Sequence, residues 1–346
     1  MKKVVFLVSL TAILLGACKS DINLLAPYKE QMVIYGLLNQ ADSVQYIRIN
    51  KTFLGQGNAY NMATIHDSIN YTNLLNVSVQ QWQNGAFVSS CRVDTTSMLV
   101  QDPGAFANQP QILYRVHTGG VNALNPASQY SLTVTNPKTG YTATGLTSLV
   151  AFSAADMGFA PPSAYKFYNT NTATPERLKW TSDLNGRVYD LVMRFHYTEY
   201  AISGTTSKYV DLDFGNSITS GLSGGEPMEA DENWVQFEHF LASSIPNDPT
   251  VYKRVMGLCE LMLYVGGDEF YTYQQVNEPV SSITGDKPTY SNITNGVGLF
   301  SARYLFDVPS YNKPIENNTL DQLAQDTLTC PLHIADHIGN VAAACP

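Results

Sequence analysis

The chain has 346 residues, only 14% of them charged, and a formal net charge of −9. That acidic balance argues against nucleic acid or an anionic membrane surface as a partner. Its 21 tyrosines, with abundant Thr, Ser and Asn, suit an extracellular β-protein, whose strands favour Thr, Tyr and Val and whose turns favour Asn, Gly and Pro.

Residues 1–17 have the three-part layout of an export signal. Lys2 and Lys3 form the positive end, and residues 4–15 are an apolar run too short to span a bilayer comfortably. The sequence Leu15-Gly16-Ala17-Cys18 then matches the lipobox of bacterial lipoproteins. Small residues let the backbone enter a peptidase cleft, and Cys18 supplies the thiol that carries lipid. Several acyl chains, each methylene adding about 0.8 kcal/mol of burial, make a durable tether. Lys19, rather than Asp, follows the cysteine, which points to an outer membrane. Lys19-Ser20-Asp21 resembles the short acidic tags that send lipoproteins to the cell surface. Residues 18–27 read as the lipidated tether. Loss of Lys2 and Lys3 with the signal takes the charge to −11 and leaves 329 residues, enough for two domains. Beyond the signal, no apolar run is long enough to cross a bilayer.

Short alternating segments broken by turn residues follow, with no helical periodicity long enough for an α-domain. Residues 31–38 predict an apolar strand. Residues 43–51 alternate, with Gln45, Ile47 and Ile49 on one face and Val44, Tyr46, Arg48 and Asn50 on the other. A polar loop covers 55–73. Residues 77–83 and 86–93 form a hairpin around the turn Asn84-Gly85. Strands at 111–117, 129–136 and 141–150 complete a set of seven. Seven short strands across residues 28–150 predict an immunoglobulin- or fibronectin-like sandwich.

Residues 151–163, containing Pro and Ala, read as a linker into a second β-rich domain with minor helix, residues 164–310. Its predicted strands are 177–181, 188–197, 208–214, 234–241, 255–265 and 297–306. Asn185-Gly186 is a turn, and Asp268 caps a helix carrying Phe270, Tyr273 and Gln274 on one side. Residues 311–346 read as a C-terminal tail. In a compartment that permits disulfides, Cys330 and Cys345 bracket this segment and are placed to clasp it, whereas Cys259 in an apolar run reads as a buried thiol.

Three stretches together carry a resemblance: Tyr28-Lys29-Glu30-Gln31-Met32-Val33-Ile34-Tyr35-Gly36, then Leu178-Lys179-Trp180 with Tyr189, then Tyr290-Ser291-Asn292-Ile293-Thr294-Asn295-Gly296-Val297-Gly298-Leu299-Phe300. The chain resembles a domain-of-unknown-function family of Bacteroidota outer-membrane lipoproteins, often encoded beside TonB-dependent transporters. The resemblance implies two β-rich modules, a location and a neighbourhood, and no catalytic residues. The glycines of the third stretch fit a turn and a close backbone approach. In the same taxon exported proteins are O-glycosylated at Asp followed by Ser or Thr and a small or aliphatic residue. Such triplets place acceptors at Ser43, Ser68, Thr95 and Thr327.

Several patterns bear on chemistry. His333 and His337 stand four apart, the spacing of a zinc pair on a helix with Asp336 between them, yet no Glu stands where a metalloprotease needs its base. Solvated histidines are expected there, with no metal. Gly221-Leu222-Ser223-Gly224-Gly225 has the spacing of a nucleophile elbow, but residues 215–220 are too polar for the strand that must run into it. Asp211 and Asp213 share a strand face, and Glu226, Glu229, Asp231 and Glu232 make an acidic loop. Tyr271, Tyr273, Tyr197, Tyr200 and Trp82 are candidates for a stacking platform, although tyrosines in sandwiches mostly pack between sheets. The expectation is therefore a non-enzymatic, cofactor-free, membrane-tethered binding or accessory subunit for a TonB-dependent transporter, its ligand unspecified. A structural or adhesive surface protein is the alternative, and a metal-dependent hydrolase a remote one.

Overall fold

Alternation sets the first strand, β1 (Met32–Leu38), in which every second side chain is buried, from Met32 through Ile34 to Leu38. The computed structural model describes residues 29–53, 58–97, 111–169, 175–277 and 289–346. The expected signal, Cys18 and the expected tether lie outside these. The described residues are mainly β, 46% strand and 17% helix.

β1 pairs antiparallel with β2 (Val44–Lys51), whose buried face carries Gln45, Ile47 and Ile49 as the alternation predicts. Two short helices follow, α1 (Ala59–Ala63) and α2 (His66–Ile69), where a polar loop is expected. Next come β3 (Asn76–Gln83) and β4 (Ala86–Ser90), joined by Asn84 and Gly85, both with positive φ as a two-residue hairpin turn requires. The single strand expected over 86–93 is in fact two. At Cys91 the chain leaves the partner of β3 and enters β5 (Arg92–Thr96), which pairs instead with β6 (Leu113–His117) in another sheet. Strands β7 (Gln129–Thr135) and β8 (Thr142–Ser148) close the first half.

The second half contains β9 (Glu176–Thr181), the long hairpin β10 (Val188–Ala201) and β11 (Gly204–Ile218), then β12 (Pro227–Glu232). Residues 234–241, expected as a strand, form a helix, α3 (Trp234–Ser244). The sequence carries its signal: Asn233 accepts from the Gln236 N–H at 3.1 Å while Gln236 accepts from the Asn233 N–H at 3.2 Å, a reciprocal cap. Trp234, Phe237 and Leu241 then fall on one buried stripe at helical spacing. The chain continues through β13 (Val251–Gly266), α4 (Asp268–Asn277), β14 (Ile293–Thr294), β15 (Gly296–Asp307), β16 (Lys313–Pro314) and α5 (Asn317–Gln325).

Nine strands form one sheet in the order β11-β10-β13-β15-β1-β2-β6-β5, with β16 on β13. The sheet draws strands from both sides of residues 151–163, through the parallel pair β1–β15. Those residues do not form an open linker. Phe152 and Met157 are buried, the Gly158 N–H donates to Lys179, and that of Thr181 donates to Asp156. The inner face of the sheet is covered in its first half by five strands, β14-β8-β7-β3-β4, giving the sandwich. Ile34, Ile47, Val116 and Phe300 belong to the same core as Val79, Leu132, Val134 and Ala143. In the second half the cover is α3, the pair β9–β12 and aromatic loop residues, with Phe167 stacked on Phe237 at 4.1 Å and edge-on to Phe195 at 5.6 Å.

The C-terminal residues are part of this body. Ile334 bridges to Arg254 on β13, and Cys330 and Cys345 form a disulfide, as their positions suggest. Arg254 is fully buried; its Nε donates to Glu199 at 2.9 Å and its other nitrogens to the carbonyls of Leu332 and Pro246. Lys208 reaches the second oxygen of Glu199 at 2.6 Å. Burial opposes ionisation of Glu199, but these two cations outweigh it and hold the carboxyl below its ordinary range. Cys259 is a buried free thiol, as expected.

Candidate functional site

Along β10, odd-numbered residues from Tyr189 to Tyr197 are buried, so Asp190, Val192 and Arg194 share the opposite, outer face of the sheet. One irregularity shapes that face. Asp190 stands opposite Asn216 and Val192 opposite Asp213, so three steps along β11 match two along β10. The extra residue is accommodated at Gly215, whose φ of +81° favours glycine and whose N–H donates to Asp213 Oδ1 at 2.7 Å. A bulge of this kind re-aims neighbouring side chains. Here it sets the Asp213 carboxyl against that of Asp190.

Asp190 opens into a groove of about 370 Å³. Val188, Tyr264 and Leu305 come from the sheet, Phe270 and Gln274 from α4, and Asn39 and Asp42 from the β1–β2 turn, with Asn216 and Arg303 completing the lining. Each wall is braced. Gly266 lets the chain turn from β13 into α4, because a side chain there would meet the Phe270 ring at 2.5 Å and Val188 at 2.8 Å. α4 is tied to the sheet by Ser301 donating to Glu269 at 3.2 Å and by the Tyr35 and Tyr273 hydroxyls at 3.1 Å. The β1–β2 turn is held by buried Gln45, whose amide donates to the Asn39 and Asp42 carbonyls and to Thr118.

The electrostatics single out Asp190. Burial, then the neighbouring charge of Asp213, pushes its carboxyl up to about 6. Its Oδ1 is sealed from solvent and has no hydrogen-bond donor among the described residues. When protonated, Asp190 donates to Asp213. By contrast Asp211, two residues along the same face, is satisfied by Arg194 through two bonds of 2.8 and 2.9 Å, with the guanidinium 4.0 Å from the Tyr209 ring.

At the opposite end of β1 lies a second polar cluster. Tyr71 and Asn136 donate to one oxygen of Glu30, at 3.0 and 2.8 Å, and Thr139 donates to the other at 2.7 Å. Burial opposes the charge, but these donors prevail and keep the carboxyl below its usual range. Glu30 thereby pins the start of the described chain to the β7–β8 turn.

The sequence candidates are dispersed. His333 and His337 do not share a helical face: His333 ends a 3-10 turn with a φ of +56° and bonds the Val251 carbonyl through Nδ1 at 2.7 Å, while His337 pairs with Asp321 at 2.6 Å. Among the described residues no three His, Cys, Asp or Glu side chains gather as metal ligands. Ser223 is exposed in a bend between β11 and β12, without the strand and helix of an elbow. The expected acidic loop is mostly the strand β12, in which Glu232 points inward while Glu229 faces Lys179 at 3.8 Å.

Nor do the five aromatic residues form a platform. Tyr197 is buried, Trp82 donates to Ser131, Tyr271 lies under Arg187, Tyr200 under Lys253, and Tyr273 bonds Tyr35. The acceptors Ser43, Thr95 and Thr327 are exposed, and Ser68 is half-buried within α2. Asp190 and Tyr264 were not distinguished in the sequence. Their signal was an aspartate and an exposed tyrosine interrupting apolar strands of otherwise steady alternation.

No family model matches the chain, and no curated protein does. Among solved structures, one match is the C-terminal globular domain of an oligosaccharyltransferase from Pyrococcus abyssi, with a TM-score of 0.21 and 9% identity over 68% of this chain. The match spans 46% of that domain's chain, and a likeness so slight carries no functional argument. No helix among the described residues is long and apolar enough to cross a membrane.

Proposed function

We propose that this chain is a lipid-anchored outer-membrane protein, exposed at the cell surface, that captures a ligand in the groove at Asp190 for a TonB-dependent transporter. The observation that carries the reading is the groove itself. It is a concave site with aromatic walls and a few convergent polar groups, built on sheet and helix, the arrangement of small-molecule sites. The anchor and the transporter rest on the signal, the lipobox at Cys18 and the resemblance of the sequence to transporter-linked lipoproteins.

The geometry suits tethering. β1 begins beside Glu30 and ends at Leu38, where the groove-lining turn starts. Seven residues of strand separate the two ends by about 20 Å. The eleven steps from Cys18 to Lys29 reach at most about 40 Å. A tether of that reach lets the Asn39 end stand clear of the bilayer. Feeding the source cells a tagged palmitate analogue tests the anchor. The wild-type chain should carry label in the outer-membrane fraction, and the Cys18→Ala chain should not. Unlabelled wild-type chain in the soluble fraction would contradict the reading.

One observation favours the structural or adhesive alternative. Edge strand β4 is exposed along all five residues, including Phe87 and Val88, and such edges invite pairing with another strand. Concentration-dependent self-association abolished by Phe87→Lys would give that reading the advantage.

A further inference from the structure

We propose that the groove binds a small organic cation, its ammonium group received by Asp190, with Asp213 behind it, and its carbon skeleton by Tyr264 and Phe270. This deepens the capture reading above and rests on it. Three observations lead there.

First, the pair carries uncompensated negative charge. Of the other carboxylates of this outer face, Asp211 and Glu260 have cationic or imidazole partners in Arg194 and His196, while Asp307 is exposed and lies outside the groove, beside Glu260. Asp190 has none among the described residues, and only burial and Asp213 act on its titration. Arg303 lines the groove, yet it is exposed and exerts no lowering influence on Asp190. A cation from outside would relieve the repulsion within the pair, which a neutral ligand cannot do.

Second, the ligand set suits an organic cation better than a metal ion. Asp190 and Asp42 line the groove with Asp213 beside Asp190, where a hard divalent cation seeks six or more oxygens, and among the described residues no three His, Cys, Asp or Glu side chains are placed to hold a metal. Beside them stand the rings of Tyr264, which is 41% exposed, and Phe270. Aromatic faces next to carboxylates attract ammonium groups through the ring quadrupole.

Third, the arrangement costs stability. A half-buried aspartate facing another aspartate, aimed by a bulge, is unfavourable for folding, and asparagine would satisfy the site more easily. Such strained charge fits a ligand-binding site, where activity and stability oppose each other.

The test uses full-length lipidated protein in detergent micelles and two pairs of probes matched in shape. Choline is compared with 3,3-dimethylbutan-1-ol, and putrescine with butane-1,4-diol, by titration calorimetry. At least one cation should bind about tenfold or more tightly than its neutral counterpart. Asp190→Asn should melt no lower than wild type and lose that preference, while Asp211→Asn outside the groove should keep it. Equal binding of cation and neutral counterpart, binding of neither cation, or a preference that survives Asp190→Asn would overturn the inference. Capture itself is tested separately: a neutral compound that binds wild type and is lost in Tyr264→Ala leaves the groove a ligand site with a different occupant.

Discussion

Gly298 of β15 lies directly over the backbone of Ile34 in β1. A Cβ built on Gly298 would collide with the Ile34 carbonyl oxygen and approach its carbonyl carbon and amide nitrogen to 2.9 and 3.0 Å. These strands form the parallel pair, Ile34 against Gly298, that joins the two halves of the chain into one sheet. Gly298 also has a φ of +121°, open to glycine and strained for any other residue. Gly298→Ala should therefore act far beyond a local loss. We expect destabilisation of at least about 3 kcal/mol, the range of severe backbone and packing defects. Thermal unfolding followed by near-UV circular dichroism checks it; a melting temperature within 2 °C or so of wild type would show that the strands part easily.

The Arg254–Glu199–Lys208 triad fastens the C-terminal segment to the sheet. Glu199→Ala leaves a fully buried guanidinium without its carboxylate, and breaking such a pair typically costs about 3–5 kcal/mol. Denaturant unfolding should reveal that loss. Lys208, its side chain 45% exposed, lies on the solvent side of the triad, so Lys208→Ala should cost under about 1 kcal/mol. Equal effects from the two substitutions would contradict this division.

Cys330 and Cys345 enclose a separation of 15 residues. In the chain-entropy view such a loop contributes about 3 kcal/mol by restricting the unfolded state. The double substitution Cys330→Ser, Cys345→Ser should lower stability by an amount of that order, read by denaturant titration without reductant. Unchanged stability would mean that the hydrogen bonds of Arg254 and Ala335 hold the segment alone.

Several carboxyls sit in the fold well above their ordinary range. Burial, followed by hydrogen bonding and charge from Asp326, lifts Glu238 to about 7. Burial and then Asp231 lift Glu232 to about 7, and burial lifts Glu176, directly opposite it, to the same region despite Lys166. Each group binds a proton in the folded state that the unfolded chain has released above about pH 4.5. Stability is therefore greatest in mild acid and falls as pH rises from about 4.5 through 7. Melting temperatures should drop by several degrees between pH 5 and pH 8, and Glu238→Gln should flatten part of the slope. A melting temperature that rises across this window would contradict the assignment.

The same reasoning gives the groove a pH signature. Asp42, Asp213, Arg303, Tyr264 and Tyr304 are the titratable or charged groups around Asp190. With Asp190 at about 6, an organic cation should bind more weakly as pH falls from 7.5 to 5. Binding that strengthens in acid would count against an ammonium on this pair.

Much of the fold was legible in the sequence because alternation reports burial directly. Met32, Ile34 and Leu38, or Gln45, Ile47 and Ile49, announce an inner face without knowledge of what covers it. The reading failed where local pattern was ambiguous or partners were distant. Trp234–Leu241 is apolar enough for a strand, and its Asn233–Gln236 cap decides for helix. The break at Cys91 shows only in the pairing of β4 and β5 with different sheets. The parallel joining of β1 to β15 spans most of the chain, and no periodicity encodes it. The groove was the least legible feature, since Asp190 and Asp213 are brought together by a bulge at Gly215 and their walls come from β13, α4 and the β1–β2 turn. The zinc-like spacing of His333 and His337 brings no shared face, because the segment holding them is not helical and each ring has its own partner.

The most direct measurement is purification of the tagged, lipidated chain from native outer membranes in mild detergent, followed by mass spectrometry of the co-purifying proteins. A capture subunit should bring a β-barrel TonB-dependent transporter in near-stoichiometric amount, dependent on Cys18. Recovery of the chain alone, from membranes in which that transporter is present, would contradict the partnership.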